Sequence, residues 1–449
     1  MYRLDEIQDK YKEKLITADE AASKVENNMR VHFGLGIGAV NDLDVALSKR
    51  DDLRGVEILS TVAIHAPWEV YKKGYPLDYY RFGSAHFTGA DRKMASDGRC
   101  WYIPMNFNEL TSYWEHNDCN IDIAMLSVCP MDEYGFFNLG PQVADVWGVI
   151  KSAKMVILEV NEKMPKALGL NNKIHLSHVD YVVESSNQPM ATIPNGVTTE
   201  IDEKIAKFVV EKIRDNSTIQ LGIGALPSTI GKLIAESDIQ NLSGHTEMLV
   251  DGYLELFKAG KLTSSKELNN GKLVYAFAGG TQELYDFIND NSLCYCAPVD
   301  YVNNQAIIAR MDNFVSVNSC IIMDLYGQVC SESSNFKHIS GTGGQLDFVQ
   351  GAYHSKGGQS FICTPSTKVL NGERMSLITA AMKPGYIVTT PRSCTHYVVT
   401  EFGAVNLKGK STWERAELLV SIAHPDFQDE LIAEAEKMGI WTTTSKSSF

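Results

Sequence analysis

Glu247 is the residue whose type and setting most suggest chemistry. It is a carboxylate within a run of small, turn-prone residues, Ser-Gly-His-Thr-Glu-Met at positions 243–248. A carboxylate placed in this way can act as a nucleophile, and a covalent intermediate divides one difficult group transfer into easier steps. Upstream lies a glycine loop, Leu-Gly-Ile-Gly-Ala-Leu-Pro at positions 221–227, which is typical of a strand end that leads into a helix. We predict that this loop holds the ligand on which Glu247 acts.

The glycine loop has a rival interpretation as a dinucleotide-binding site. Gly222 and Gly224 could open the pattern G-x-G-x-x-G, and Glu247 follows at about the distance of a ribose-binding acid. The third glycine position is Pro227, however. Proline suits the first turn of a helix, but it does not allow the close strand–helix contact that requires glycine. The sequence therefore disfavours a dinucleotide.

Two further segments contain residues that suit an anionic ligand. Gly343 and Gly344 lie in Ser-Gly-Thr-Gly-Gly-Gln-Leu-Asp-Phe at positions 340–348, where backbone N–H groups could face an oxyanion or phosphate. The same glycines also suit a plain tight turn. Lys368 could pair with a phosphate or carboxylate, although an exposed, solvated lysine is the commoner case. The histidines and the nine cysteines lack metal-ligand spacing, so we expect reduced thiols and no metal.

An internal repeat relates the two halves of the chain. Leu-Gly-Ile-Gly-Ala-Val begins at residue 35 and Leu-Gly-Ile-Gly-Ala-Leu at residue 221, and Met131-Asp-Glu-Tyr-Gly is echoed by Met323-Asp-Leu-Tyr-Gly. The two matches occur in the same order at nearly one spacing, which indicates a duplication. The offset of the first match makes Thr61 the counterpart of Glu247, so only the second copy has a carboxylate there.

The elements around these motifs alternate between strand and helix. Strands are predicted at 29–33, 56–60, 273–277, 315–317, 387–390 and 397–400, and helices near 40–47, after Thr199 and at 425–437. The stretch 185–196 is rich in turn-forming residues, which predicts a linker. We predict an α/β protein of two tandem, pseudo-symmetric open domains with mostly parallel sheets, at residues 1–195 and 196–449.

Composition narrows the possible partners. The 449 residues carry a net charge of −14 with 44% hydrophobic residues, which is typical of a soluble globular protein. Without a basic stripe to offset the negative charge, nucleic acid is not expected as a partner. No apolar run is long enough for a membrane helix and no signal segment opens the chain, so we expect a cytoplasmic protein. A homo-oligomer is the expected assembly.

The motifs together resemble one known family over essentially the whole chain. The segments that carry the likeness are 221–227, Gly-His-Thr-Glu-Met at 244–248, Ala-Pro-Val-Asp-Tyr at 297–301, 340–348, Tyr-Val-Val-Thr-Glu-Phe-Gly at 397–403 and Ile-Ala-His-Pro-Asp-Phe at 422–427. They resemble the acetyl-CoA hydrolase/transferase family of CoA-transferases, the butyryl-CoA:acetate enzymes first and the 4-hydroxybutyrate enzymes next. The resemblance implies an active site where two open α/β domains meet.

The resemblance also implies roles for single residues. Glu247 takes the place of the catalytic glutamate. The CoA-contacting positions that it implies are Gly222, Ile223, Gly224, Ala225, Leu226, Ile322, Gly344 and Lys368. Gly343 joins Gly344 as a source of N–H groups for an oxyanion, and the loop at Thr61 and Val62 is a second possible source.

These implications predict an enzyme that moves CoA from a short-chain acyl-CoA, butyryl-CoA first, to acetate through a glutamyl-CoA thioester. Coenzyme A is a substrate, and the other partners are short-chain carboxylates. Transfer from 4-hydroxybutyryl-, propionyl- or succinyl-CoA, acyl-CoA hydrolysis, and a non-catalytic CoA-binding module remain as alternatives.

Overall fold

The computed structural model describes residues 2–64, 68–116, 120–194 and 196–442, and these form two compact units. Unit 1 comprises Met1–Pro194, Glu247–Leu249 and Lys272–Val302. Unit 2 comprises Asn195–Thr246, Val250–Gly271 and Asn303–Phe449. The domain boundary predicted between residues 195 and 196 stays a prediction.

The first 194 residues contain seven α-helices and nine strands among the residues described. The helices are α1 Ile7–Lys14, α2 Ala18–Ala22, α3 Asp42–Leu47, α4 Glu69–Lys72, α5 Gly89–Ser96, α6 Leu110–His116 and α7 Val146–Ser152. The strands are β1 Arg30–His32, β2 Val56–Ser60, β3 Tyr80–Ser84, β4 Cys100–Tyr102, β5 Ile121–Val128, β6 Phe136–Asn138, β7 Ala153–Val160, β8 Lys173–His175 and β9 Tyr181–Glu184.

The rest of the chain continues this alternation before ending in two helices. The helices are α8 Glu200–Val210, α9 Ala225–Glu236, α10 Asp251–Lys258, α11 Gln282–Ile288, α12 Val299–Val302, α13 Gln305–Ile308, α14 Gln345–His354, α15 Thr412–Ser421 and α16 Pro425–Lys437. The strands up to β15 are β10 Thr218–Leu221, β11 Ser243–Leu249, β12 Leu273–Ala278, β13 Cys294–Cys296, β14 Phe314–Ser319 and β15 Ile322–Asp324. The strands after β15 are β16 Val329–Cys330, β17 Ser333–Ser334, β18 Lys337–His338, β19 Gln359–Cys363, β20 Thr367–Leu370, β21 Glu373–Ser376, β22 Ile378–Thr379, β23 Tyr397–Thr400 and β24 Gly403–Asn406.

Unit 1 is built on a seven-stranded parallel sheet with the order β4-β3-β2-β1-β5-β7-β9. Both faces of this sheet are covered, as β5 shows. Ile123 and Met125 enter one apolar cluster, whereas Ala124 and Leu126 enter another. Successive side chains of a strand point to opposite faces, so an apolar run such as β5 fits a sheet buried on both sides.

Unit 2 repeats the central topology of unit 1. Its strands follow the order β11-β10-β14-β19-β23-β24, and all neighbours are parallel except the last pair. The five strands β11-β10-β14-β19-β23 correspond in order and direction to β2-β1-β5-β7-β9 of unit 1. The predicted α/β class with mostly parallel sheets and internal pseudo-symmetry is confirmed.

Most predicted elements appear where the sequence placed them. The strand at 56–60 and the helix at 425–437 match exactly, and Thr199 caps α8 by accepting a hydrogen bond from the N–H of Asp202. The strand predicted at 387–390 is wrong, since within it only Thr390 forms a bridge, to Val329. Among the helices described, none is long and apolar enough to cross a membrane.

Candidate functional site

The second glycine loop connects a buried strand to an open helix end. All four residues of β10 are buried, and α9 begins at Ala225 immediately after the loop. Gly224 occupies the position before the helix with φ 108° and ψ −172°, and no side chain caps the helix there. A Cβ at Gly224 would meet no atom of the described residues within 4 Å, so the space beside this glycine is open. The first N–H groups of a helix lack intrahelical acceptors and attract anions, and this loop can therefore receive an anionic ligand.

Pro227 lies where the sequence predicted it, in the first turn of α9, where a missing N–H costs no helical hydrogen bond. Its Cγ would be 4.0 Å from a Cβ placed on Gly222. The helix therefore begins without the third glycine of the dinucleotide pattern.

Glu247 lies on β11, the strand beside β10. The two strands pair in parallel through Thr218 with Ser243 and Ile219 with Gly244. One residue before Glu247, the Thr246 hydroxyl donates to the carbonyl of Leu221, at 3.2 Å. That bond fixes the strand immediately before the carboxylate to the strand end immediately before the glycine loop. Glu247 is also the one residue of β11 that is not buried.

His245 packs inside unit 2. Its side chain is fully buried, and its ring meets Phe314 and Phe348 edge to face, with centroids 6.1 and 6.5 Å apart. These contacts pack the ring of His245 between β14 and α14.

The other predicted CoA-contacting residues come together at one edge of the unit 2 sheet. Ile322 follows the carboxyl end of β14, and Lys368 follows the carboxyl end of β19 on the hairpin β20–β21. The glycine loop follows the carboxyl end of β10, which is next to β14. Ligands of open α/β sheets bind outside the carboxyl ends of the strands, so this edge is the expected place.

Gly343 and Gly344 lead into α14. Gly343 has φ 53°, a left-handed conformation that favours glycine, and Gly344 precedes the first residue of the helix. Both are buried. The two adjacent glycines thus open a second helix N-terminus in unit 2, consistent with a source of N–H donors.

Glu332 holds this second loop in place, and sequence reasoning missed it. Its carboxylate accepts from the hydroxyls of Thr342, at 3.2 Å, and Thr389, at 3.1 Å. Its carbonyl accepts from the N–H groups of Ile339, at 2.7 Å, and Ser340, at 3.2 Å. Burial raises the pKa of this carboxyl, and the threonine hydroxyls act in the opposite direction. No motif marks Glu332, because its partners lie both near and far along the chain.

The first glycine loop is closed by the protein's own side chains. A Cβ on Gly38 would lie 1.5 Å from Oε1 of Gln142. The carboxylate of Glu159 accepts from the N–H groups of Asn41, at 2.8 Å, and Leu43, at 2.9 Å, at the start of α3. Side chains of unit 1 thus fill the space beside Gly38, whereas the equivalent space beside Gly224 in unit 2 is open.

The strand registers correct the counterpart of Glu247. Partners on β1 and β2 include Val31 with Ile58, whereas partners on β10 and β11 include Ile219 with Gly244. The separation between partners is two residues larger in unit 1, so the counterpart of Glu247 is Ala63 and not Thr61. The first half of the chain still has no carboxylate at this position.

Thr61 uses its hydroxyl inside unit 1. It donates to the carboxylate of Asp145, at 2.5 Å, which also accepts from Nε1 of Trp114, at 2.7 Å. The carbonyl of Val62 accepts from the N–H of Gly36, at 2.7 Å. The role of this loop as a source of N–H donors stays a prediction. Among the residues described, no group of three or more His, Cys, Asp or Glu side chains could hold a metal ion.

Comparison with known proteins shows the family. The N-terminal domain model of acetyl-CoA hydrolase/transferase matches residues 1–194, and its C-terminal domain model matches residues 280–435. The chain belongs to the acetyl-CoA hydrolase/transferase family. It is 47% identical to a probable butyrate:acetyl-CoA coenzyme A-transferase of Syntrophomonas wolfei, over 98% of each chain.

One further relative and one solved structure match nearly the whole chain. A 4-hydroxybutyrate coenzyme A transferase of Clostridium kluyveri is 41% identical over 95% of this chain and 98% of its own length. The crystal structure of RipA from Yersinia pestis superimposes with a TM-score of 0.86 at 35% identity, over 97% of this chain and 99% of that chain. The prediction of an enzyme of CoA-transferase type is confirmed.

Proposed function

We propose that this CoA-transferase moves CoA between butyryl-CoA and acetate, with Glu247 as the nucleophile. The observation that carries the proposal is the 47% identity to a probable butyrate:acetyl-CoA coenzyme A-transferase over 98% of both chains. The partly exposed carboxylate on β11, one residue beyond the hydrogen bond that joins β11 to β10, supports the choice of nucleophile.

The first half-reaction loads CoA onto the enzyme. A carboxylate oxygen of Glu247 attacks the thioester carbonyl carbon, the C–S bond breaks, and an acyl-glutamyl anhydride and CoA thiolate form. The thiolate then attacks the Glu247 carbonyl carbon of the anhydride. Butyrate leaves with the electron pair of the broken C–O bond, and a glutamyl-CoA thioester remains.

The second half-reaction reverses these steps with acetate. An acetate oxygen attacks the glutamyl-CoA carbonyl carbon and expels CoA thiolate, which gives an acetyl-glutamyl anhydride. The thiolate attacks the acetyl carbonyl carbon, and Glu247 leaves as a carboxylate. Each addition creates an oxyanion, so donors placed to meet it lower the barrier.

Residues of unit 2 suit the long CoA substrate. We assign CoA contacts to the loop Gly222–Leu226, Ile322 and Lys368, because all lie at the carboxyl edge of β10, β14 and β19. Backbone N–H groups at Gly343 and Gly344 are the proposed oxyanion donors. Losing one such donor commonly lowers the rate by ~10²–10³.

The replacement Glu247→Gln tests the nucleophile. The amide keeps the shape of the side chain but cannot form the anhydride, so transfer from butyryl-CoA to acetate should fall below detection. Intact-mass analysis of the wild-type enzyme with butyryl-CoA alone should show an adduct of CoA less water, absent from the variant. Glu57→Gln, on the corresponding strand β2 of unit 1, is the matched control and should retain transfer. Retained transfer in Glu247→Gln would refute the assignment.

A second candidate donor is 4-hydroxybutyryl-CoA, favoured by the 41% identical relative. A panel of butyryl-, 4-hydroxybutyryl-, propionyl- and succinyl-CoA with acetate distinguishes the donors, and we expect the highest kcat/KM with butyryl-CoA. An apolar pocket discriminates one methylene by only ~1–3 kcal/mol, so neighbouring donors should also react. If free CoA thiol were released without acetate as fast as CoA is transferred, the protein would be a hydrolase. If acyl-CoA bound without any turnover, the protein would be a CoA-binding module.

A further inference from the structure

The hairpin β17–β18 of unit 2 carries a strained, exposed aromatic residue at its tip. Ser333 pairs with His338 and Ser334 with Lys337, which leaves a two-residue turn of Asn335 and Phe336. Both turn residues have positive φ, 49° and 64°. That geometry is the hairpin turn in which the second position strongly favours glycine.

Phe336 is unusual among the residues with this backbone conformation. The other described non-glycine residues with positive φ are asparagine, aspartate or serine, whereas Phe336 has a large apolar side chain. A bulky residue in this region is strained. The residue is also 83% exposed, so burial does not offset the strain.

A neighbouring loop lies against one side of this ring. The N–H of Phe336 donates to the carbonyl of Gly385, at 3.2 Å. A Cβ on Gly385 would lie 2.9 Å from Cδ2 and 3.0 Å from Cγ of Phe336, so the ring rests directly on the glycine backbone. One side of the ring is therefore supported, and most of its surface stays available to a ligand.

The hairpin projects from the segment that joins two predicted CoA-contacting positions. On one side, Ile322 pairs with Cys330, two residues before Glu332. On the other side, Glu332 binds Ile339, Ser340 and Thr342 just ahead of the Gly343–Gly344 loop. Two exposed lysines flank the tip, because Lys337 follows Phe336 and Lys383 lies two residues before Gly385.

We propose that Phe336 stacks on the adenine of CoA while Lys337 and Lys383 face its phosphates. A supported, exposed ring with cations beside it has the composition of a site that binds a single base through its π-face and its phosphates through charge. The pantetheine arm separates the adenine from the reacting thioester, so such a platform must lie away from Glu247. This inference rests on the proposed function, because it assumes CoA as the ligand.

Two donors of different length test the stacking role. Phe336→Ala should raise the KM for butyryl-CoA by about 10- to 100-fold, in line with the loss of one base stack. The KM for butyryl-pantetheine, which lacks the nucleotide, should change by less than twofold, and Phe336→Trp should restore the affinity for butyryl-CoA. Phe402→Ala, a second exposed phenylalanine of unit 2, is the control and should leave both KM values unchanged.

Stability and direct binding provide the second arm. Phe336→Gly should raise the unfolding midpoint, because glycine adopts this φ without strain, while weakening CoA binding measured by calorimetry. Calorimetry with CoA needs no turnover, so it tests the stacking role even if transfer to acetate fails. Unchanged CoA affinity in Phe336→Ala would overturn the inference. So would an equal loss with both donors, or a change of sedimentation at unchanged CoA affinity, which would place Phe336 between copies of the chain.

Discussion

Glu159 and Glu247 each lie on a strand of a parallel sheet, but the two side chains differ in exposure. Glu159 on β7 is fully buried, and each of its oxygens accepts a backbone N–H at the start of α3. Glu247 on β11 is partly exposed. A carboxylate that already completes a helix start inside the fold is a poor nucleophile, because attack would break those bonds. The accessible carboxylate on β11 is the better candidate.

The buried carboxyl predicts a pH dependence of stability. Burial raises the pKa of Glu159 from 4.5 to about 7, in spite of the N–H bonds that lower it. The native state therefore holds this proton at pH values where the unfolded chain has lost it. The free energy of unfolding should then fall as pH rises from about 4.5 to about 7, by ~3 kcal/mol for this group.

Glu159→Gln should remove that part of the slope. Urea unfolding of both proteins at pH 5, 6 and 7 measures it. Asp44, whose pKa burial also raises to about 7, should account for part of the slope that remains, and Asp44→Asn tests this. An identical slope in Glu159→Gln and wild type would show that Glu159 stays charged in the native state.

Among single residues, the sequence predicted those that lie in recognisable local motifs. Glu247, Gly222 and Gly224 follow from local pattern, and the structure places the glycines at an open helix start. Glu332 and Glu159 were not predicted, because no local motif marks them and each has a hydrogen-bond partner that is distant in sequence. The assignment of Thr61 as the counterpart of Glu247 was wrong because it assumed one constant sequence offset between the two halves. Paired residues on β1 and β2 are two residues further apart in sequence than paired residues on β10 and β11.

The loop between β10 and α9 is the element on which CoA binding should depend. Gly224→Ala keeps free space around the new methyl group but strains the backbone at φ 108°. The loop must shift to relieve the strain, and its N–H groups move with it. We expect about tenfold weaker CoA binding by calorimetry and a loss of about 1 kcal/mol in stability.

Gly260→Ala is the matched control for this loop. Gly260 also has positive φ, 69°, and open space around its Cα, but it follows α10. Its replacement should lower stability to a similar extent and leave CoA affinity unchanged. Equal affinity losses in the two variants would attribute the effect to general destabilisation.

Turn chemistry explains which elements could be predicted. The loop around Lys368 is a hairpin in which Asn371 and Gly372 both have positive φ, 52° and 83°, and Asn-Gly is the strongest short signal for such a turn. Asn-Phe at 335–336 makes the same kind of turn with no such signal. The strand predicted at 387–390 failed because β-propensity does not reveal a missing partner strand.

At the scale of the whole molecule, the chain is a duplication whose two glycine loops have diverged. Strand order and direction agree over five strands, in keeping with the duplication that the repeated glycine motifs predicted. The sequence could not show that the protein's own side chains fill the first loop and leave the second loop open. Gln142 and Glu159, which fill the first loop, lie more than 100 residues beyond it.

This divergence predicts one CoA site per chain. The first loop is filled by Gln142 at Gly38, and Glu159 takes the N–H groups at the start of α3. The second loop is open at Gly224. Calorimetric titration with CoA should therefore give a stoichiometry of one per chain, and intact-mass analysis after butyryl-CoA should show at most one adduct. Glu247→Gln should bind one CoA without forming the adduct, whereas two bound CoA molecules per chain would mean that the first loop still accepts the ligand.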